Sequence, residues 1–486
     1  MERGYVGIDL GTSAVKLLLM DEKGAIMKTV SKEYPISFPK PGWSEQNPED
    51  WYAQSVAGLR ELIAGYEDKL CGISFGGQMH GLVILDEQDA VIRPAILWND
   101  GRTGEECDFL NGTIGRDVIS AETGNIAFAG FTAPKLLWMK KHEPSLFARI
   151  KKIMLPKDYL AYRLSGVHAT DASDASGMLL FDVKNRAWSK RMEEICEVRP
   201  EQLAQVFESY EVIGNILPEL AKDLGVSEGV KIIAGAGDNA AAAIGTGTVK
   251  NGDCNISLGT SGTVFIASET YSVDEKNALH SFAHATGRYH LMGCMLSAAS
   301  CNKWWMEEIL RDSDYAAAQA GITELGTNEV YFLPYLMGER SPHNDPDARG
   351  VFLGMSMDTT REDMTQAMLE GVAFGLRDSL EVARASGLTI QKTKICGGGA
   401  KSPLWRTIIA NVMNVTVQTI ESEEGPALGG ALLAAVGCGE FANVEEASDA
   451  VVRITSEEAP DPELVKRYEE RYQKWRTIYP ALKEVF

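Results

Sequence analysis

The first residues of the chain alternate between short apolar runs and turns. Two apolar segments, Tyr5–Leu10 and Val15–Met20, flank a Gly-Thr-Ser turn, and a second turn at Glu22–Gly24 precedes a further extended segment from Ala25. Apolar runs of this length between turn residues are typical of strands. Because the turns are tight, the pattern predicts an antiparallel meander.

Helical periodicity follows this meander. We expect a helix to begin after Asn47, since Asn47 can cap it and Pro48 fits its first turn, and to continue to about Ala64. Short strands are then predicted over Lys69–Phe75 and Gly81–Leu85, before loops and helices alternate. This alternation predicts an α/β fold.

The opening motif recurs in the second half of the chain. The segment Gly7–Ser13 (GIDLGTS) returns as Asn255–Ser261 (NISLGTS), and each copy is followed by another apolar segment. A Leu-Gly-Thr-Ser turn also arises by chance, but a repeat half the chain length away favours duplication. A chain of 486 residues is longer than one hydrophobic core usually supports. We therefore predict two domains, 1–247 and 248–486, with a cleft between them.

Charge and composition exclude several classes of protein. With 68 acidic and 47 basic residues the net charge is −21, which disfavours nucleic-acid and anionic-lipid partners. The N-terminus lacks a signal-peptide pattern, and no apolar run approaches a membrane span of about 18 residues. We therefore expect a cytoplasmic protein. Its eight cysteines form no Cys-x-x-Cys pair and are predicted to be reduced, mostly buried thiols.

The duplicated turns are candidate phosphate sites. Converging backbone N–H groups and hydroxyls bind phosphate without a P-loop, and two such turns facing a cleft can hold a triphosphate. No Walker A or complete GxGxxG is present, since Ala400 replaces the glycine that a Walker A needs. The candidate nucleotide contacts in the two hairpins are Thr12, Ser13, Lys16, Gly259, Thr260 and Ser261.

Asp9 precedes the first turn, where a carboxylate can hold Mg²⁺ directly or through water. The matching residue of the second copy is Ser257. An isolated Asp before a turn more often caps backbone donors, but beside a duplicated phosphate hairpin the metal role is favoured.

Asp238 opens an Ala-rich helix after a strand and the bend Gly235-Ala236-Gly237. It is placed like an N-cap, which is its plain structural role. A carboxylate at a strand end between glycines is equally suited to accept a hydroxyl proton during phosphoryl transfer. Asn239 is placed to orient the same hydroxyl. The spacing alone leaves these two roles of Asp238 equal.

Two glycine-rich turns occur near the C-terminus. Gly397–Ala400 follows an apolar strand and precedes a helix, so Gly398, Gly399 and Ala400 are candidates for close approach by a nucleotide. Tight packing of helix on strand is the alternative. For the small residues of Gly425–Ala431, close helix packing is the favoured interpretation.

A second polar constellation indicates a pocket for a polyhydroxyl compound. His80 lies among glycines after a predicted strand, and Trp98, Asn99, Asp100 and Arg102 cluster shortly afterwards. A single His is more often structural. An imidazole, amide and charged groups beside an apolar ring are nevertheless the components of a sugar site.

These motifs together resemble the FGGY carbohydrate kinases over nearly the whole chain. Within that family, four strings are similar to those of members that phosphorylate xylulose: Gly77–Gly81, Ile96–Arg102, Gly130–Lys135 and Leu155–Leu160. The resemblance implies two actin-like (ribonuclease-H-like) ATPase domains, with sugar and ATP bound in the interdomain cleft. A homodimer is also implied only by resemblance.

The resemblance also implies roles for particular residues. Asp238 is implied as the proton acceptor, Met79 and His80 as sugar contacts, Asp9 as the residue beside Mg²⁺, and Gly398–Ala400 as the neighbours of adenosine. The expected reaction is ATP-dependent phosphorylation of D-xylulose to D-xylulose 5-phosphate in pentose catabolism. The alternatives are a family kinase for ribulose, another ketose or a polyol, and an actin-like ATPase with no small acceptor.

Overall fold

The N-terminal half of the chain is built on a seven-stranded sheet. The computed structural model describes residues 2–422 and 424–486. The strands are β1 (Gly4–Leu10), β2 (Ala14–Asp21), β3 (Ile26–Glu33), β4 (Leu70–Gly77), β5 (Val212–Asn215), β6 (Lys231–Ile233) and β7 (Ala236–Gly237). Their order is β5-β6-β4-β1-β2-β3, with β7 paired to β4. Strand β1 is antiparallel to β2 and parallel to β4, which confirms the predicted meander.

The C-terminal half repeats this topology in a second seven-stranded sheet. Its strands are β8 (Cys254–Leu258), β9 (Gly262–Ser268), β10 (His280–Ala283), β11 (Tyr289–Met295), β12 (Lys392–Cys396), β13 (Thr416–Ile420) and β14 (Ile454–Glu458). Their order is β10-β11-β9-β8-β12-β13-β14, so β8 and β9 correspond to β1 and β2, and β12 corresponds to β4. The duplicated α/β fold is confirmed.

Helices and short ribbons cover the two sheets. The helices before the second sheet are α1 (Pro48–Leu62), α2 (Gly104–Asp108), α3 (Arg116–Thr123), α4 (Thr132–His142), α5 (Pro144–Phe147), α6 (Pro156–Ser165), α7 (Ala172–Ala175), α8 (Lys190–Cys196), α9 (Pro218–Leu224) and α10 (Asp238–Gly245). The later helices are α11 (Ala299–Trp304), α12 (Tyr315–Ala320), α13 (Arg361–Ala385), α14 (Pro403–Met413), α15 (Gly425–Gly437), α16 (Val444–Val451), α17 (Pro462–Trp475) and α18 (Ile478–Leu482).

The first helix begins where its capping residues predict. The Asn47 side chain accepts a hydrogen bond from the backbone N–H of Glu49, and Pro48 occupies the first helical position. Capping of this kind satisfies a backbone donor that has no partner within the helix. Helix α1 ends at Leu62, two residues before the predicted end at Ala64.

Helix α15 joins the two halves. It follows the second sheet in the chain but packs on β1 and β4 of the first sheet and on α10. A Cβ atom added at Gly429 would lie 1.9 Å from the carbonyl oxygen of Ala241, and one at Gly7 would lie 1.9 Å from that of Ala427. These contacts bring backbone against backbone, which confirms that the small residues of α15 serve close packing.

The C-terminal segment contributes to the core of the second half. By sequence Glu463–Lys483 is a charged amphipathic stretch, yet Tyr468, Tyr472 and Trp475 of α17 are fully buried. The Arg471 guanidinium also forms an ion pair with buried Glu370 at 2.7 Å. The helix is therefore part of the fold rather than an appendage.

The sequence predicts reduced cysteines and no membrane span. All eight cysteines are free thiols, of which Cys196, Cys254 and Cys301 are fully buried and the other five are partly buried. Within residues 2–422 and 424–486, no helix is both long enough and apolar enough to cross a bilayer.

Candidate active site

A cavity of about 530 Å³ lies between the two sheets. Asp238 and Asn239 form one part of its wall, and Gly397, Gly398 and Ala400 form another. Helix α10 of the first half and strands of the second half line it, so neither half forms the cavity alone. This geometry brings the predicted proton acceptor and the predicted adenosine neighbours to one cleft.

Asp238 is the first residue of α10, and Gly237 occupies the position before the helix. Its carboxylate accepts hydrogen bonds from the backbone N–H and side-chain Nδ2 of Asn239, at 2.7 and 2.9 Å. The N-cap interpretation of Asp238 is therefore wrong. Burial raises the pKa of Asp238 to about 6, while the Asn239 hydrogen bonds limit the rise.

Asp9 lies on β1 among other charged groups of the cleft. Burial, together with the negative charges of Asp238 and Glu424, raises its pKa to about 7, while Lys16 opposes the rise. A hydrated divalent cation near Asp9 would relieve this repulsion. Among the described residues, no cluster of three or more His, Cys, Asp or Glu forms a complete protein cage for a metal.

The first hairpin turn contacts both Trp98 and the C-terminal half of the molecule. Trp98 Nε1 donates a hydrogen bond to Thr12 Oγ1 at 3.0 Å. Ser13 is exposed at the tip of the turn. Lys16 Nζ lies 2.9 Å from a carboxylate oxygen of Glu424, just before α15. The turn is thus held in the cleft by partners from two directions.

The second hairpin turn is fixed by the start of α11. Ala298 N–H and Ser300 Oγ both donate to the Thr260 carbonyl, at 3.0 and 2.7 Å, while Ser261 remains exposed. Gly397, at φ +89°, approaches the turn so closely that a Cβ would lie 3.1 Å from the Gly259 nitrogen. The glycine-rich turn and the second hairpin therefore adjoin, as a nucleotide spanning both would require.

The three residues after Gly397 divide between two roles. Gly398 and Ala400 line the cavity, and a Cβ at Gly398 would meet nothing within 4 Å. Gly399 is buried, and its Cβ would lie 2.6 Å from the Leu258 side chain and 3.0 Å from that of Trp405. Open space above Gly398 suits a flat ring, whereas Gly399 serves packing.

His80 is held in an uncommon backbone conformation, with φ +69°. Its ring stacks on Phe131 with centroids 4.5 Å apart, and Nδ1 lies 2.8 Å from the carbonyl oxygen of Gly177. Burial lowers the pKa of His80 to about 3, so the imidazole is neutral. A carbonyl only accepts, so Nδ1 carries the proton and Nε2 is left as an acceptor.

Buried polar groups fix the loop that carries His80. Lys135 Nζ and Thr132 Oγ1 donate to the His80 carbonyl at 2.8 and 3.0 Å. Met79 is buried against Gly237, where an added Cβ would lie 3.0 Å from Met79 Sδ. The Met79-His80 pair therefore lies next to the residue that precedes Asp238.

The remaining predicted sugar residues occupy different environments. Asp100 and Arg102 form a fully buried bidentate ion pair at 2.6 and 2.8 Å, and the guanidinium also stacks 3.7 Å from the Trp43 ring centroid. Asn99 lies exposed beside a separate hollow. These contacts favour a supporting role for Asp100 and Arg102, while their contact with a sugar stays a prediction.

Several residues of the cleft carry no local sequence signal. Thr263 and Phe265 of β9 and Thr419 and Ile420 of β13 also line the cavity. They are ordinary strand residues, so only the pairing of distant strands brings them to the site. Lys135 belongs to the segment Gly130–Lys135 that resembles the family, yet only the fold shows that Lys135 holds the His80 carbonyl.

Comparisons with known proteins agree with this geometry. Residues 4–245 match the N-terminal domain of the FGGY family of carbohydrate kinases, and residues 254–438 match its C-terminal domain. The chain is 40% identical to a xylulose kinase of Escherichia coli over 98% of this chain and 99% of the relative, and 37% identical to one of Bacillus subtilis over 99% and 97%.

Solved structures show the same likeness. A "xyloylose kinase" from Brucella ovis has a TM-score of 0.95 at 38% identity, with all of both chains covered. A gluconate kinase from Lactobacillus acidophilus has a TM-score of 0.94 at 27% identity, over 99% of this chain and 98% of that one. With both halves matched in sequence and fold, the chain belongs to the FGGY family of carbohydrate kinases.

Proposed function

We propose that this kinase transfers the γ-phosphoryl group of ATP to O5 of D-xylulose, giving D-xylulose 5-phosphate and ADP. The observation that carries the proposal is Asp238, a partly buried carboxylate that lines the glycine-rich cavity and directly follows Gly237, against which Met79 packs. The relatives named xylulose kinases support the substrate, because this chain matches them over nearly their full length.

Asp238 acts as the general base. With a pKa of about 6 its carboxylate is mostly charged at neutral pH, and Asn239 fixes its orientation. As the new O5–P bond forms and the bond from phosphorus to the β–γ bridging oxygen breaks, the O5 proton passes to Asp238. ADP leaves with the electron pair of the broken bond.

The sugar is oriented by the Met79-His80 pair. Nε2 of the neutral His80 ring accepts a hydrogen bond from a sugar hydroxyl, and Phe131 supplies an apolar surface behind the ring. Trp98 extends this side of the pocket toward Thr12.

The charge of the transferred group is balanced by the hairpins and by a metal. Backbone N–H groups and hydroxyls of the turns at Thr12-Ser13 and Gly259–Ser261 donate to phosphate oxygens. Asp9 is the residue that would hold Mg²⁺, which when bound neutralises charge on the phosphates. Gly398 leaves space for the adenine ring.

The test is ADP release with Mg-ATP and D-xylulose, compared with D-ribulose, L-ribulose, gluconate, glycerol and no acceptor. We expect D-xylulose to give the highest kcat/KM and Asp238→Asn to lower kcat by about 10²–10⁴-fold. Asp238→Asn should not melt below the wild type, because burial disfavours the charged carboxylate. A higher kcat/KM for another acceptor, or full activity of this variant, would reject the proposal.

A further inference from the structure

The second sheet presents one of its faces to the His80 pocket. Thr263 and Phe265 of β9 line the cavity, and their antiparallel partners on β11 are Cys294 and Met292. Residues directly opposite each other in an antiparallel pair extend to the same face. His280 of β10 is paired with Met292 and shares this face. The C-terminal half therefore covers the loop that carries His80.

The loop that carries Arg340 lies between β11 and β12 in the chain and is fixed to the end of β11. Glu339 Oε1 accepts hydrogen bonds from the backbone N–H groups of Leu296 and Arg340, at 2.9 and 2.7 Å. Ser341 N–H donates to the Cys294 carbonyl, and Cys294 N–H donates to Ser341 Oγ, at 2.9 and 3.0 Å. Four hydrogen bonds thus hold the Arg340 backbone at the rim of the cleft-facing strand.

The Arg340 guanidinium lies over the Phe128 ring, 5.3 Å from its centroid. Phe128 contacts His280 and Phe131 edge-on, with centroids 5.2 and 5.5 Å apart, and Phe131 is the ring on which His80 stacks. Arg340 therefore reaches the aromatic wall of the predicted sugar pocket from the opposite half of the molecule.

The Arg340 guanidinium contacts the Cys294 thiol, and its charge also acts on the neighbouring Glu339 carboxylate. In residues 2–422 and 424–486, no carboxylate lies within ion-pair distance of its guanidinium. Its charge acts on the pocket: burial lowers the pKa of both His80 and His280, and Arg340 lowers both further. Burial raises the pKa of Cys294, whereas Arg340 lowers it.

We propose that Arg340 is a specificity-determining residue that donates hydrogen bonds to the ketose carbonyl oxygen and its neighbouring hydroxyl. This inference rests on the proposed function, since it concerns the same acceptor site. A guanidinium offers five donors and no acceptor, whereas the pocket side of His80 offers an acceptor. Arg340 and His80 therefore recognise complementary groups, a carbonyl oxygen and a hydroxyl proton.

Arg340→Met, which removes the charge and keeps most of the length, tests this role. We expect KM for D-xylulose to rise about 10–100-fold, the loss expected for hydrogen bonds from a charged donor. KM for ATP should stay within about threefold of the wild type. The preference for D-xylulose over xylitol, which lacks the carbonyl, should fall by a similar factor. Arg340→Lys should restore part of the affinity.

The matched control is Arg349→Met in the same loop. The Arg349 guanidinium donates only to the carbonyl groups of Pro346 and Ala348 among the described residues, so this variant should keep both KM values. An unchanged KM for D-xylulose in Arg340→Met would overturn the inference. An equal rise in both KM values, or the same loss for D-xylulose and xylitol, would also overturn it.

A binding measurement separates this inference from the proposed function. Isothermal titration of D-xylulose into wild type and Arg340→Met, without ATP, reports the contact whether or not phosphoryl transfer occurs. A weaker Kd in the variant supports Arg340 even if another acceptor proves to be the better substrate. Equal Kd values reject Arg340 even if D-xylulose is the substrate.

Discussion

Burial sets the protonation states of the two residues closest to the expected chemistry. His80 is neutral because its ring is desolvated, and its tautomer is fixed by the Gly177 carbonyl. Asp238 is desolvated as well, but the Asn239 hydrogen bonds favour its charged form and limit the rise in pKa. These two environments make Asp238 a weak base and His80 a neutral hydrogen-bond acceptor.

The pKa of Asp238 predicts the pH dependence of catalysis. A general base must be unprotonated, so kcat/KM should fall about tenfold per pH unit below pH 6 and level off above it. Initial rates with saturating Mg²⁺ between pH 4.5 and 8 measure this. A flat profile down to pH 5 would contradict the assignment of Asp238 as the base.

A fully buried lysine near the site predicts a large effect on stability. Lys157 Nζ lies 2.7, 2.8 and 3.6 Å from carboxylate oxygens of Asp158, Asp171 and Asp174. Lys157→Met would leave three buried carboxylates without a cation, and we expect it to lower the free energy of unfolding by about 3–5 kcal/mol. Urea denaturation measures the loss.

Lys152→Met is the matched control for Lys157→Met. Lys152 forms an ion pair with Asp89 at the surface, and pairs of that kind contribute about 0–1 kcal/mol. Similar losses in the two variants would show that the buried cluster adds nothing beyond a surface pair.

At the scale of elements, the position of α15 depends on glycine. Gly429→Ala would place a Cβ 1.9 Å from the Ala241 carbonyl oxygen, and a backbone atom cannot rotate away. The two helices must separate, so we expect a loss of about 1–3 kcal/mol, the usual cost of overpacking. Thermal unfolding measures it.

Gly104→Ala provides the comparison for Gly429→Ala. Gly104 is the first residue of α2, and an added Cβ would meet nothing within 4 Å. Alanine has the higher helix propensity, so this variant should be as stable as the wild type or slightly more stable. Equal melting temperatures for the two variants would argue against close packing of α15 on α10.

At the scale of the whole molecule, both halves contribute to one site. Phe131 and His80 come from the first half, and Phe282, only 6.3 Å from each ring by centroid distance, comes from β10 of the second. The Lys16–Glu424 ion pair also joins the first hairpin to the segment before α15. A ligand in this cleft contacts both halves at once.

Calorimetry tests this shared site. D-xylulose with ADP at about 100 times their Kd values should stabilise the folded protein by at least about 2.7 kcal/mol. Because the ligands contact both halves, every unfolding transition should move to higher temperature together. A transition that stays in place would show that one half does not contact the ligands. Glycerol at the same concentration serves as the control.

The sequence by itself determined the elements and the chemistry carried by local motifs. The duplicated GTS hairpins predicted two halves of like topology, because a tight turn between apolar runs forms only a few structures. Asn47 and Pro48 fixed the start of α1 by local hydrogen bonding. The predicted boundary between 1–247 and 248–486, and the contacts of the predicted site residues with ligands, stay predictions.

Only the tertiary structure decided which distant groups meet. Arg340, Phe265 and His280 belong to no motif. The pairing of β9, β10 and β11, and the loop hydrogen-bonded to the end of β11, bring them together. Asp100 and Arg102 could not be distinguished from cleft residues by spacing, because a buried ion pair and a binding pair have the same composition. Local interactions fix elements within a few residues, whereas burial and charge pairing depend on chain segments that pack from far away in sequence.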